Sequence, residues 1–206
     1  MQLFDTASLS EGGLEQILTF LSSGGVIAFP TDTAYGLGAD PFSEAAVRRI
    51  FEIKGRPETK PILLLVNSIA MAQSVADLSD RAMALAKRFW PGPLTMVVPA
   101  RASVPALVTA GTGTIGIRWP DAAFAVRLLE AFQRPITATS ANRTGHPSAI
   151  TVAEVREQLQ ESIDLIVDGG TLPSRGGSTL VDLTDTPARL LREGPISEAE
   201  LSDVLK

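Results

Sequence analysis

The chain has 206 residues, 45% apolar and 20% charged, a length and balance that suit one globular domain with a buried core. It has no cysteine, which excludes disulfides, thiol nucleophiles and thiolate metal sites and suits a reducing cytoplasm. The formal net charge of −5 argues against a general nucleic-acid binder, no apolar run reaches the about 18 residues of a membrane span, and MQLFDTASLSEGG lacks a signal-peptide pattern.

In chain order, a helix is expected from Leu14 to Leu21, closed by Gly24-Gly25. VIAFP, residues 26–30, follows as a short buried strand. Ser43 caps a helix through AAVRRIFEI, and the apolar run ILLLV, residues 62–66, reads as a central strand. Residues Asp80 to Trp90 are helical, and Pro91-Gly92-Pro93 stops them. LTMVVP and TIGIRWP are strands, Asp121 caps a helix through Phe132, and PITATS is a further strand. Thr151 with Glu154, and Ser197 with Glu200, form capping boxes. Between those two helices lie DLIVD, STLVDL and ARLLRE, three more strands. Strands with and without intervening helices predict an α/β fold with a mixed sheet and flanking helices, in a single domain over residues 1–206.

Two familiar patterns lack their context. Gly111, Gly113 and Gly116 match G-x-G-x-x-G but run into IGIRWP, a strand ended by proline, where the dinucleotide fingerprint opens a helix. His146, the only histidine, sits in the turn RTGHPS and reads as a surface side chain. No His/Asp/Glu group has metal-ligand spacing, so no protein-bound metal is expected, and a metal would arrive with phosphate, as Mg²⁺ commonly does.

Several polar segments stand at strand ends. PTDTAYGLG, residues 30–38, is either a connecting turn or a ligand loop offering hydroxyls at Thr31, Thr33 and Tyr35. KGRPETKP gathers Lys54, Arg56 and Lys60, either as a solvated turn or as a site for an anion such as triphosphate. In TIGIRWP a two-residue period puts Thr114, Gly116 and Arg118 on one face and Ile115, Ile117 and Trp119 on the other. Arg118 then faces either solvent or a ligand that approaches over the glycine. In TSANRTGHPS, Ala138 and Ser140 share a strand face, with Asn142 just beyond. Ser178 follows two glycines in GGSTLVD, and Arg192 precedes a turn in LLREG.

Taken in order from about Gly24 to Gly194, PTDTAYGLG, the K-x-R of KGRP, Lys60-Pro61, PGPLT, IRWP, TSAN with GHPS, STLVD and LREG resemble the YrdC family of threonylcarbamoyl-AMP synthases. The resemblance implies a twisted, open α/β fold with a positively lined cavity. It implies a nucleotidyltransferase that joins L-threonine, bicarbonate and ATP, with Mg²⁺ assisting, into threonylcarbamoyl-AMP and pyrophosphate. A threonylcarbamoyl transferase complex would then modify adenosine 37 of tRNAs reading codons that begin with A. By motif, Arg56, Lys60, Thr114, Ser140, Asn142, Ser148 and Arg192 fall on the ATP side. Thr33, Leu65, Arg118, Ala138 and Ser178 fall on the threonine side, and Lys54 with Arg56 are the catalytic cations. Leu65 stands near where some relatives carry histidine, which leaves it packing or backbone contact. The chain resembles the family's short form, without the second C-terminal domain of longer relatives. No side chain stands out as a general base. Two other readings fit the same basic segments: an RNA-binding or ribosome-associated module with weak RNA binding, and a paralogous enzyme with another acyl-adenylate or phosphate substrate.

Overall fold

The computed structural model describes residues 1–159, 162–173 and 176–203. Among these, ten strands form one sheet: β1 (Gln2–Asp5), β2 (Ile27–Pro30), β3 (Tyr35–Gly38), β4 (Leu63–Leu65), β5 (Leu94–Pro99), β6 (Thr114–Arg118), β7 (Ile136–Ser140), β8 (Leu165–Asp168), β9 (Thr179–Asp182) and β10 (Arg189–Arg192). Their spatial order is β1-β8-β2-β3-β7-β4-β6-β5-β9-β10. β1–β8, β8–β2, β4–β6 and β5–β9 pair parallel and the other neighbours antiparallel, so the sheet is mixed, as expected. β7 is a fork. Residues 136–138 pair with β4, whereas Thr139 and Ser140 pair with β3.

Eight helices accompany the sheet among the described residues: α1 (Glu11–Ser22), α2 (Glu44–Lys54), α3 (Ile69–Val75), α4 (Asp80–Phe89), α5 (Ala106–Thr109), α6 (Ala123–Phe132), α7 (Val152–Leu159) and α8 (Glu198–Leu201). Serine hydroxyls cap α1, α2, α3, α4 and α8, each accepting an amide that would otherwise lack a helical partner. Ser197 and Glu200 form the full reciprocal box. At α7, Thr151 takes the amide of Glu154, but the Glu154 carboxylate reaches the amide of Ile150, one residue upstream of the cap. Asp121 is not the cap of α6. That position falls to Ala122, with no side-chain hydrogen bond.

β1, β3, α3 and α5 go beyond the sequence expectations. β3 carries Gly36 and Gly38, which depress strand propensity, and Gly38 is needed for packing. A Cβ on Gly38 would come within 2.7 Å of the Phe29 ring and 2.9 Å of Ile136.

Strand alternation divides the core. Ala28, Leu37, Leu64, Met96, Val98, Ile115, Ile117, Ile166 and Val181 face one side and pack with α2, α3, α4, α5, α7 and α8. Ile27, Phe29, Ile136, Leu165 and Val167 face the other and pack with α1 and α6. The two coverings differ in extent. The first spans the sheet, whereas α1 and α6 cover only the half around β8, β2 and β7. On the β4-β6-β5-β9 half, the second face carries Leu63, Thr95, Val97, Thr114, Gly116, Arg118, Leu180 and Asp182, and these line a cavity rather than a helix.

Candidate active site

This uncovered half of the sheet is the floor of a cleft of about 540 Å³, within the usual range for small-molecule sites. Cross-strand register builds the floor: Leu63 lies opposite Ala138, Val97 opposite both Gly116 and Asp182, and Thr95 opposite Leu180. Gly116 is closely packed, since a Cβ there would sit 3.2 Å from the Leu63 Cβ and would need a small shift of that side chain. Thr114, Gly116 and Arg118 do share the face toward the cavity, while Ile115 and Ile117 are fully buried behind it.

Three guanidinium groups stand on the walls: Arg56, Arg118 and Arg192. Arg56 follows Gly55, whose left-handed φ of 57° ends α2. Its Nη2 donates to the Pro61 carbonyl at 2.7 Å and its Nη1 reaches Thr139 Oγ1 at 3.4 Å, which places it at the fork of β7. Its Nε is buried without a partner. Arg192 donates through Nε to the Ser178 carbonyl at 2.9 Å and lies over Gly177, where a side chain would collide with it. Arg118 donates to the Gly92 carbonyl at 3.1 Å and to Thr33 Oγ1 at 3.2 Å, and contacts Asp32. Burial holds the guanidinium groups of Arg56 and Arg192 below their ordinary values, and for Arg192 the charge of Arg118 adds to the effect. A cluster of desolvated like charges is relieved by an anion between them.

Hydroxyls fill the spaces between the cations. Thr33, Thr95, Thr114, Thr139, Ser140, Ser148 and Ser178 all line the cavity. Thr95 and Ser178 share a 2.7 Å hydrogen bond, and Ser178 Oγ also lies 3.3 Å from Arg192. Asp182 is the wall's carboxylate among the described residues, and it is engaged by Arg189 at 2.8 Å and by Thr184. No group of three or more metal-ligating side chains comes together among the described residues.

Of the residues selected from sequence, Thr33, Arg56, Leu65, Thr114, Arg118, Ala138, Ser140, Ser148, Ser178 and Arg192 meet at this cavity. Three do not. Lys54 is buried behind the wall, and its ammonium donates to the carbonyls of Ser140 and Asn142 and to Asn142 Oδ1, which saturates it. Burial, then the charge of Arg56, pushes that ammonium down to about 7. Asn142 is buried beside it, donating to the His146 carbonyl at 2.5 Å. Lys60 is exposed and stands off the wall. Thr31 and Tyr35 reach the cavity, but their hydroxyls are engaged elsewhere. Thr31 Oγ1 donates to the Ala34 carbonyl, and Tyr35 donates to the Gly170 carbonyl and accepts from Gly169. His146 is exposed, as its turn suggested.

Thr95, Thr139 and Asp32 are additions. Thr95 is signalled by alternation in LTMVVP, and Thr139 by its place between Ala138 and Ser140 at the fork. Asp32 sits inside PTDT, but nothing in the sequence pairs it with Arg118.

A cleft lined by guanidinium groups and hydroxyls on the open half of a mixed sheet makes this an α/β protein with a cationic, polar pocket. The family model for Sua5, YciO and YrdC proteins, described as "Telomere recombination", matches residues 19–194, and the chain belongs to that family. It is 42% identical over 187 residues to the threonylcarbamoyl-AMP synthase of Pyrococcus abyssi, a match covering 90% of this chain and 55% of that protein. It is 38% identical over 179 residues to the threonylcarbamoyl-AMP synthase of Thiobacillus denitrificans, covering 86% of this chain and 95% of that one. The crystal structure of P. abyssi Sua5 complexed with L-threonine superposes with a TM-score of 0.91 at 40% identity, covering 99% of this chain and 60% of that one. The chain thus spans little more than half the length of its Pyrococcus relative. No helix among the described residues is long and apolar enough to cross a membrane.

Proposed function

We propose that this chain is an L-threonylcarbamoyladenylate synthase, a nucleotidyltransferase that acts in the cytoplasm and forms threonylcarbamoyl-AMP and pyrophosphate from L-threonine, bicarbonate and ATP. The observation that carries the reading is the placement of Arg56, Arg118 and Arg192 around one hydroxyl-rich cleft. ATP lies along Arg56, Thr114, Ser140, Ser148 and Arg192. L-Threonine lies over Thr33, Leu65, Ala138 and Ser178, with its carboxylate at Arg118. A Mg²⁺ ion carried by the nucleotide would supply neutralisation of phosphate charge. Asp182, already held by Arg189, is a poor sole ligand for it.

The neutral threonine amine adds to the bicarbonate carbon and water leaves, giving a carbamate. A carbamate oxygen then bonds to the α-phosphorus while the bond to the bridging oxygen of pyrophosphate breaks. The side chains contribute alignment and charge stabilisation, the main terms in phosphoryl transfer. Lys54 and Asn142 act from behind, fixing the backbone that presents Ser140. The product passes to a threonylcarbamoyl transferase complex for modification of adenosine 37.

The test is pyrophosphate release with ATP and bicarbonate, with and without L-threonine. Threonine-dependent release is expected. Release without threonine overturns the reading in favour of a paralogous enzyme. No release, together with salt-sensitive RNA binding, overturns it in favour of an RNA-binding module.

A further inference from the structure

Asp32 has no role in the reading above, yet it occupies an unusual position. Thr31 and Thr33 line the cavity and Asp32, between them, does not. Its carboxylate turns to the guanidinium of Arg118, in a contact where the two side chains keep 13% and 6% exposure. Neither Asp32 oxygen makes a hydrogen bond, and neither does Arg118 Nη2, so the contact is an ion pair of which each group is the other's partner. The loop that carries Asp32 is fixed locally, because Thr31 Oγ1 accepts the amides of Thr33 and Ala34 at 3.2 and 3.3 Å.

The three nitrogens of Arg118 are thereby held from three directions: Nε by the Gly92 carbonyl, Nη1 by Thr33, and Nη2 by Asp32. The first two partners are neutral. The repulsion comes from Arg192, on the same cavity. A carboxylate is the partner that holds a guanidinium against a neighbouring cation. Buried ion pairs contribute little to net stability compared with apolar replacements, so stability alone does not account for a half-satisfied pair at the cavity edge.

We propose that Asp32 is a positioning residue that holds Arg118 in the orientation that receives the amino-acid carboxylate, and so sets affinity for that substrate and not for the nucleotide. This rests on the reading that Arg118 meets L-threonine. The experiment uses the full chain and its Asp32→Asn and Asp32→Ala variants. L-Threonine and ATP binding are measured by calorimetry, apparent KM for each by pyrophosphate release, and folding by thermal melts. Asp32→Asn keeps the shape and one acceptor, and is expected to weaken L-threonine binding about 3- to 10-fold, since a neutral acceptor holds a cation less well. Asp32→Ala should weaken it by more than 10-fold. ATP affinity should stay within about 2-fold in both. Equal or tighter L-threonine binding by Asp32→Asn overturns the proposal, because it would make Asp32 a competitor for Arg118. A parallel loss of ATP and threonine affinity overturns it too, and marks a general structural role. The Asn variant decides the question even if the Ala variant does not fold. Wild-type chain that binds no L-threonine overturns the proposed function, and this inference with it. Wild-type binding with unselective variants overturns this inference alone.

Discussion

Arg56 and Lys54 lie two positions apart in sequence and differ in what they can touch. Arg56 is on the cavity wall with a buried Nε that has no partner, whereas the Lys54 ammonium is enclosed by three oxygens. Arg56→Ala should therefore reduce threonine-dependent turnover by about 100-fold or more, the scale of losing one transition-state donor. Near-normal pyrophosphate release by that variant would remove Arg56 from the site. Lys54 predicts a different signature. Its folded value of about 7 lies below the ordinary 10.5, so between these limits the unfolded chain binds the extra proton. Stability from this group is lowest at and below neutral pH and rises as pH climbs through the window. Urea unfolding of wild type and Lys54→Met at pH 7 and pH 9 should show a pH slope in the wild type that the variant lacks. Identical slopes would refute the assignment. Both residues were legible as a basic cluster, but spacing did not separate the one facing the ligand from the one bracing the frame. That separation comes from Ser140 and Asn142, more than eighty residues away in sequence.

At the scale of elements, alternation carried most of the information. TIGIRWP places Thr114, Gly116 and Arg118 on one face and Ile115 and Ile117 on the other, and the cavity follows that division. β3 escaped because its two glycines read as turn, although Gly38 is there to admit the Phe29 ring from the neighbouring strand. The start of α6 escaped for the opposite reason. Asp121 has the chemistry of a cap, yet the chain enters the helix one residue later at Ala122, without a side-chain bond. Gly38→Ala tests the packing account. The added methyl would meet both Phe29 and Ile136, and should destabilise the protein by about 1–3 kcal/mol in denaturant unfolding. Gly12→Ala, in α1 with nothing within 4 Å of its would-be Cβ, is the matched control and should be neutral or stabilising.

For the whole molecule, the decisive feature is charge placement on a chain of net −5. Three of its cations face one cleft, so ligand charge couples to the stability of the fold. Saturating ATP at about 100 times its dissociation constant should stabilise the protein by about 2.7 kcal/mol, read as a rise in melting temperature that Arg56→Ala diminishes. An equal rise in the variant would place the nucleotide elsewhere. The overall architecture was legible as a mixed sheet with flanking helices. The unequal covering of its two faces was not, because it depends on where α1 and α6 lie over the strands, and local sequence does not encode that.

The unequal covering gives each strand two separate jobs. Leu64, Met96, Ile117 and Val181 face helices, and a change there disturbs the packed interior. Their neighbours Leu63, Val97 and Leu180 face the cleft and are only partly buried. A library confined to these three positions would redraw the shape of the ligand chamber while leaving the fully buried core residues untouched. Substrate preference in this scaffold is accordingly open to redesign one residue out of step with the residues that keep it folded.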